Sequence, residues 1–294
     1  MSSSITCLNS PRTNVSWWRE GRSQPGSAGR NRSVGEAWGR SELVRAETRG
    51  AVLVVTLDRP EKRNAINEEM TCALDAIFNR AERDDAVRAY VLAARGDVFC
   101  AGTDLITGAG PHTSAGGQYG LVRRARTKPL IVAVDGPALG GGFELVLSAD
   151  MVVASRRAWF ALPETTRGRV PAAGGLHRAP DRLPRNLAIE MMLTNARLGA
   201  DRARAVGLVN RLAAPGEALS MAMELAMETC RSSPEAVTHV LGGVRVIDEV
   251  TEATGWAVTS AAKLAMLDSP DHAEGDAAFI EHRLPAWTPP ETSA

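Results

Sequence analysis

The chain has 294 residues, 44% of them hydrophobic and 23% charged, which is enough length and apolar content to bury a sizeable core in one or two domains. Thirty-four basic and thirty-four acidic residues are interspersed and cancel formally, so no overall attraction to nucleic acid is expected. No apolar run approaches the length of a membrane-spanning helix, which argues against an integral helical membrane protein.

Residues 1–40 differ in texture from the rest. They are rich in Ser, Gly and Arg, hold six arginines against Glu20 and Glu36, and show neither helical nor strand period. They read as a disordered N-terminal extension, with an organelle transit peptide or a start assigned too far upstream as alternatives. Residues 51–57 form a short apolar run between Gly50 and Pro60, the pattern of a buried strand. Asn67 is placed to cap a helix with Glu68 and Glu69 in its first turn and Met70, Leu74, Ile77 and Phe78 at helical spacing. Residues 88–94, 130–134 and 151–154 are further strand candidates, and their alternation with helices predicts an α/β layered core. Beyond about residue 183 helix alone is expected, over 187–193, 217–230, 234–247 and 252–267.

The cysteines Cys7, Cys72, Cys100 and Cys230 are scattered without zinc-type spacing and read as reduced thiols of a cytoplasmic protein. Only Lys62, Lys128 and Lys263 among the basic residues are lysines, an arginine bias that fits a GC-rich, bacterial genome. His112, His177, His239, His272 and His282 have no metal-site spacing, so no metal is expected. The triple glycine at 140–142 lacks the order of a dinucleotide site, and no phosphate-binding Walker loop occurs.

Two glutamates twenty residues apart carry the chemistry. Asp135-Gly-Pro-Ala-Leu-Gly-Gly-Gly-Phe-Glu144 ends an apolar strand and opens a helix, and Phe160-Ala-Leu-Pro-Glu164 brings a second carboxylate after another apolar run. Two carboxylates divide the work of acid and base when their surroundings push their pKa values apart. A glycine run at a helix start exposes backbone N–H groups where negative charge collects. Together they point to chemistry that makes and quenches a transient enolate.

Five strings in order carry a resemblance: Arg59-Pro-Glu-Lys-Arg-Asn-Ala-Ile-Asn67, Phe99-Cys-Ala-Gly-Thr-Asp-Leu105, Gly136-Pro-Ala-Leu-Gly-Gly-Gly-Phe-Glu144, Pro163-Glu164 with Val170-Pro-Ala-Ala-Gly-Gly175, and Glu274-Gly-Asp-Ala-Ala-Phe-Ile-Glu-His-Arg283. Over roughly residues 42–288 the chain resembles the crotonase (enoyl-CoA hydratase/isomerase) superfamily. The resemblance implies an α/β fold: a crotonase-like spiral core of ββα units at 41–200 with the active site, then an α-helical C-terminal trimerisation region at 201–294. It implies a homotrimer or homohexamer, and an acyl-CoA thioester as substrate that carries its own CoA, with no resident cofactor.

The resemblance further implies an oxyanion hole from the backbone N–H groups of Thr103 and Gly141, without need of the Thr103 side chain. Glu144 and Glu164 match the two hydratase carboxylates, Glu144 mainly activating water for C3 and Glu164 mainly supplying the proton to C2. Lys62 and Arg63 match the phosphate-facing loop. Ala65, Ala101, Asp104 and Leu105 match positions around pantetheine and adenine. Phe279 and His282 match positions that reach a neighbouring subunit's CoA. Ala172 stands where many hydratases have glycine; it keeps an N–H for the catalytic water, and its Cβ narrows the site or shifts the loop. Arg167 and Arg169 replace commoner apolar residues and read either as ligands for a polar acyl chain or as solvent-facing charges. Cys100 reads as a small buried thiol. The implied activity is reversible hydration of a trans-2-enoyl-CoA; the alternatives are an isomerase or dehydratase of a functionalised acyl-CoA, a thioesterase, or a non-catalytic acyl-CoA-binding protein.

Overall fold

The computed structural model describes Trp38 and residues 41–287, so the expected extension at 1–40 lies, Trp38 apart, outside the described residues. The elements run β1 (Val44–Arg49), β2 (Val52–Leu57), α1 (Glu68–Glu82), β3 (Ala89–Ala94), β4 (Leu130–Val134), β5 (Ala138–Leu139), α2 (Gly141–Leu147), β6 (Met151–Ser155) and β7 (Trp159–Ala161). They continue with α3 (Gly175–Arg182), α4 (Arg185–Thr194), β8 (Leu198–Gly199), α5 (Ala200–Ala205), β9 (Arg211–Ala213), α6 (Ala218–Cys230), α7 (Pro234–Leu267) and α8 (Pro270–Ile280).

Six strands form one sheet in the order β1-β2-β3-β4-β6-β9, parallel except for the β1–β2 hairpin. A smaller sheet, β5-β7-β8, stands apart and ties the start of α2 to the chain leading to Glu164. The main sheet is apolar on both faces, as parallel sheets are when covered on both sides. Leu53, Val55, Leu57, Tyr90, Leu92, Leu130 and Val132 pack on the side of α1 and α2. Their alternating neighbours Val52, Val54, Ala89, Val91, Ile131 and Ala133 meet Ala218, Ala222, Leu225 and Ala226 of α6.

The Asn67 cap forms as its position predicts: its side chain accepts the Met70 N–H at 3.0 Å, and Met70, Leu74, Ile77 and Phe78 are buried. The four strand expectations are met within a residue at each end. The expectation of helix alone beyond residue 183 is wrong at β8 and β9. β9 completes the main sheet beside β6, and strands of two or three residues leave no period to read. The two helices expected over 234–247 and 252–267 are one, α7, because the join Asp248-Glu-Val-Thr251 contains neither Gly nor Pro to break it. Only Gly255 and Thr259 of α7 are buried, while Val240, Val244, Ile247, Val250 and Leu264 are exposed in the single chain.

One buried polar residue fastens the loop before α1. Asn64 has φ 53, its amide donates to the carbonyls of Arg95 and Val98, and it accepts the Arg59 N–H, each at 2.8 Å. Asn tolerates the left-handed conformation where most residues do not. Asn64→Ala is therefore expected to lower unfolding free energy by about 3 kcal/mol, from buried groups left unpaired plus backbone strain. Urea denaturation checks this, and a loss below about 1 kcal/mol contradicts it.

Candidate active site

The site is assembled where two loops meet at the ends of β3 and β4. After β3, the segment Phe99 to Asp104 runs beside Pro137 to Leu139: Phe99 N–H donates to Pro137 O at 3.0 Å, and Leu139 N–H to Cys100 O at 2.9 Å. On its other side the same segment pairs with Ile66, which donates to Gly102 O at 2.7 Å and accepts the Asp104 N–H at 2.9 Å. That pairing skips Thr103, whose N–H has no acceptor among the described residues. Gly141 opens α2, and its N–H also has no acceptor among the described residues, as first-turn amides do not within a helix. The two loops are in contact: a Cβ on Gly102 would stand 2.8 Å from Gly141 N.

The triple glycine is required by close approach at each member. A Cβ would stand 2.9 Å from Glu164 Oε1 at Gly140, 2.0 Å from Tyr119 Oη at Gly141 and 2.1 Å from Cys100 O at Gly142. Gly140 moreover holds φ 52 and ψ −124, a conformation closed to side-chain-bearing residues.

Glu144 sits in the first turn of α2, 2% exposed. Its Oε1 accepts the N–H groups of Ala173 at 2.7 Å and Gly175 at 2.8 Å. Burial pushes its pKa up, while those two N–H donors and the Arg178 charge pull it back. Glu164 opens a 3-10 turn, Glu164–Arg167, and its Oε2 has no hydrogen-bond partner among the described residues. Burial pushes Glu164 up as well, and the Glu144 charge pushes it further, against weaker pulls from its own backbone N–H and from Arg167. Of the pair, Glu144 is the one supplied with donors for its charged form. Glu164 is the one left to keep a proton.

The other predicted residues fall into three places. Lys62 ends the 3-10 turn Pro60–Lys62 and Arg63 caps it, both exposed, and Ala101 N–H donates to Arg63 O at 3.0 Å, which brings Lys62, Arg63, Ala65 and Ala101 alongside the Thr103 loop. Leu105 is partly buried next to Asp104. Burial would raise the Asp104 pKa, but the Arg59 guanidinium at 2.7 Å and the N–H groups of Ile106 and Thr107 hold it down to about 2. Its carboxylate is thus occupied within the loop.

Phe279 lies under the Arg167 guanidinium, 4.9 Å from ring centroid to Cζ, and both line a cavity of about 510 Å³ with Arg283 and Trp287. His282 follows α8, exposed, with φ 55. Arg169 is tied to Asp276 by two bonds of 2.5 and 2.7 Å, so it braces α8 rather than facing solvent freely. Ala172 is half-buried; the N–H groups that reach Glu144 come from its neighbours Ala173 and Gly175. Cys100 is fully buried, bonded to Asn64 O at 3.1 Å, and burial pushes its thiol up to about 12, so it remains a thiol.

Sequence reasoning missed Tyr119, Ala173, Gly175 and Arg178. Tyr119 Oη lies 2.7 Å from Thr103 Oγ1, so the Thr103 side chain is engaged after all. Arg178 is held by Glu252 and, with Arg123, lies over the Trp256 ring. A Cβ on Gly174 would stand 3.1 Å from Trp256 Cη2, so this cluster backs the loop that holds Glu144, beside a cavity of about 670 Å³. Among the described residues no group of His, Cys, Asp and Glu is arranged to hold a metal ion, and no helix is long and apolar enough to cross a membrane.

Comparison with known proteins agrees with this geometry. The family described as enoyl-CoA hydratase/isomerase matches residues 47–290. A carnitinyl-CoA dehydratase of Proteus mirabilis is 38% identical over 258 residues, covering 84% of this chain and 98% of the relative. A mevalonyl-coenzyme A hydratase of Aspergillus fumigatus is 36% identical over 248 residues, 81% of this chain and 92% of the relative. The solved structure of a carnitinyl-CoA dehydratase from Mycobacterium avium superposes with TM-score 0.78 at 39% identity, covering 84% of this chain and 99% of that one. With a matched fold, a matched sequence over most of its length and two carboxylates beside a glycine turn, the chain belongs to the enoyl-CoA hydratase/isomerase, or crotonase, family.

Proposed function

We propose that this chain is a hydratase-type lyase that adds water reversibly across the C2=C3 bond of a trans-2-enoyl-CoA. The observation that carries the reading is the unequal pair of carboxylates, buried Glu144 with two N–H donors and half-buried Glu164 with a buried, unpartnered oxygen. The substrate thioester oxygen accepts from the N–H groups of Thr103 and Gly141, fixed donors that stabilise enolate charge without reorganising, each worth about 3 kcal/mol of barrier in comparable sites. Ionised Glu144 takes a proton from water as its oxygen attacks C3, and protonated Glu164 delivers a proton to C2 of the enolate. The reverse sequence removes water from a 3-hydroxyacyl-CoA. Relatives that carry the names carnitinyl-CoA dehydratase and mevalonyl-coenzyme A hydratase favour an acyl group bearing a polar substituent. A protein that only bound acyl-CoA would have no use for two carboxylates with opposed environments.

The rest of the proposal concerns CoA and assembly. Lys62 and Arg63 meet the CoA phosphates, and the backbone around Ala65, Ala101 and Leu105 meets pantetheine and adenine. Ala172 shapes the water side of the pocket beside Glu144. Phe279 and His282 reach the CoA of a neighbouring copy in a homotrimer or homohexamer, to which the exposed apolar residues of α7 contribute. CoA travels with the substrate, so the mechanism calls for no resident cofactor. A cytoplasmic location accords with the free thiols Cys72, Cys100 and Cys230.

Incubation with crotonyl-CoA and with longer, polar-substituted enoyl-CoAs is expected to give products heavier by one water. Glu144→Gln and Glu164→Gln are each expected to lower kcat roughly 100- to 10,000-fold with acyl-CoA binding retained. Wild-type-like turnover in the double variant contradicts the assignment. Stability gives a second check. The folded-state pKa of Glu164 is raised, so the stability contribution of its protonated form is full at acid pH and is lost as pH rises and the carboxyl ionises. Glu164→Gln removes that loss, so the Tm advantage of the variant over wild type is expected to widen from about pH 5 to about pH 9. A constant difference, or one that narrows, overturns the opposed-environment account.

A further inference from the structure

Tyr119 is held in a way that packing alone does not call for. Its backbone has φ 57 and ψ 12, left-handed for a large aromatic residue, between Gly117 at φ 66 and Gly120 at φ 68. The loop is pinned to α1 from both sides. Thr113 Oγ1 donates to Asp75 Oδ1, Arg124 joins Asp75 to the Gly120 carbonyl, and a Cβ on Gly120 would stand 2.6 Å from Thr71 O. The outcome of that strain is a phenol 1% exposed whose oxygen lies against Gly141 and 2.7 Å from Thr103 Oγ1. It therefore stands between the two residues whose N–H groups lack acceptors.

The two hydroxyls hold two protons and share one hydrogen bond, and no other partner of either oxygen occurs among the described residues. One O–H is left to donate in front of Gly141 and Thr103. Burial first, then the charges of Glu144 and Glu164, raise the phenol pKa well above its ordinary value, so it keeps its proton. We infer that Tyr119 is a further catalytic residue, its hydroxyl giving the thioester oxygen a third donor beside the N–H groups of Thr103 and Gly141. The Thr103 hydroxyl donates to Tyr119 and orients it. This inference rests on the hydratase reading above for the identity of the thioester.

The test is Tyr119→Phe, which keeps the ring and removes only the hydroxyl. With an enoyl-CoA, kcat is expected to fall about tenfold to a hundredfold with KM within about threefold, the loss of one transition-state donor. A 3-ketoacyl-CoA serves as a second probe, because its bound enolate absorbs in the near ultraviolet; the enolate fraction is expected to fall in parallel. Thr103→Val is expected to lose less than Tyr119→Phe, since the phenol proton survives. A Tyr119→Phe enzyme with wild-type kcat and enolate fraction overturns the inference, as does a larger loss in Thr103→Val. Wild-type protein that hydrates no enoyl-CoA but enolises the bound 3-ketoacyl-CoA fails the hydratase reading alone, and the enolate band in Tyr119→Phe then decides this one. Wild type that neither hydrates an enoyl-CoA nor gives an enolate band overturns both.

Discussion

Gly140, Gly141 and Gly142 press so closely on Glu164, Tyr119 and Cys100 that a single Cβ at any of them would fall within 2.9 Å of another atom. This steric constraint fixes the distance between the loop after β3 and the start of α2, and so the placement of the free N–H groups of Thr103 and Gly141. The two sheets serve the same contact. β3 and β4 lie side by side in the main sheet, and β5 with β7 carries the chain from the glycine turn to Glu164. Loops at the carboxyl ends of parallel strands are where such folds place their chemistry.

On that frame the two carboxylates are separated by hydrogen bonding more than by burial, which raises both. The turn into α3 turns the N–H groups of Ala173 and Gly175 toward Glu144, an arrangement that favours its anion. Glu164 receives no comparable donors at Oε2 and faces the charge of Glu144 instead. In the proposed mechanism one shared proton resides on Glu164 and Glu144 acts as the base. A hydration that needs base and acid on the same substrate asks for this division.

Much of this was legible in the sequence, and the residues show why. The Asn67 cap, the helical spacing of Met70, Leu74, Ile77 and Phe78, and the apolar strand runs are local signals, and they survive in the fold. The glycine turn and both glutamates lay inside long ordered motifs. Tyr119 was not legible, because its role comes from a left-handed loop folded onto Asp75 and Thr71 of α1, a contact between distant segments. The N–H donors of Glu144, on Ala173 and Gly175, were not legible either, since backbone N–H directions do not follow from residue type. Short β8 and β9 escaped notice because they are held by neighbours rather than by period.

The central claim is that fixed N–H groups of Thr103 and Gly141 polarise a bound thioester before any bond is made. The most direct measurement is the infrared stretch of a ¹³C-labelled thioester carbonyl, free and bound, in a saturated acyl-CoA that cannot react. The account predicts a shift to lower frequency on binding, as two or more donors draw charge onto the oxygen. A bound carbonyl that absorbs where it does in water would contradict it.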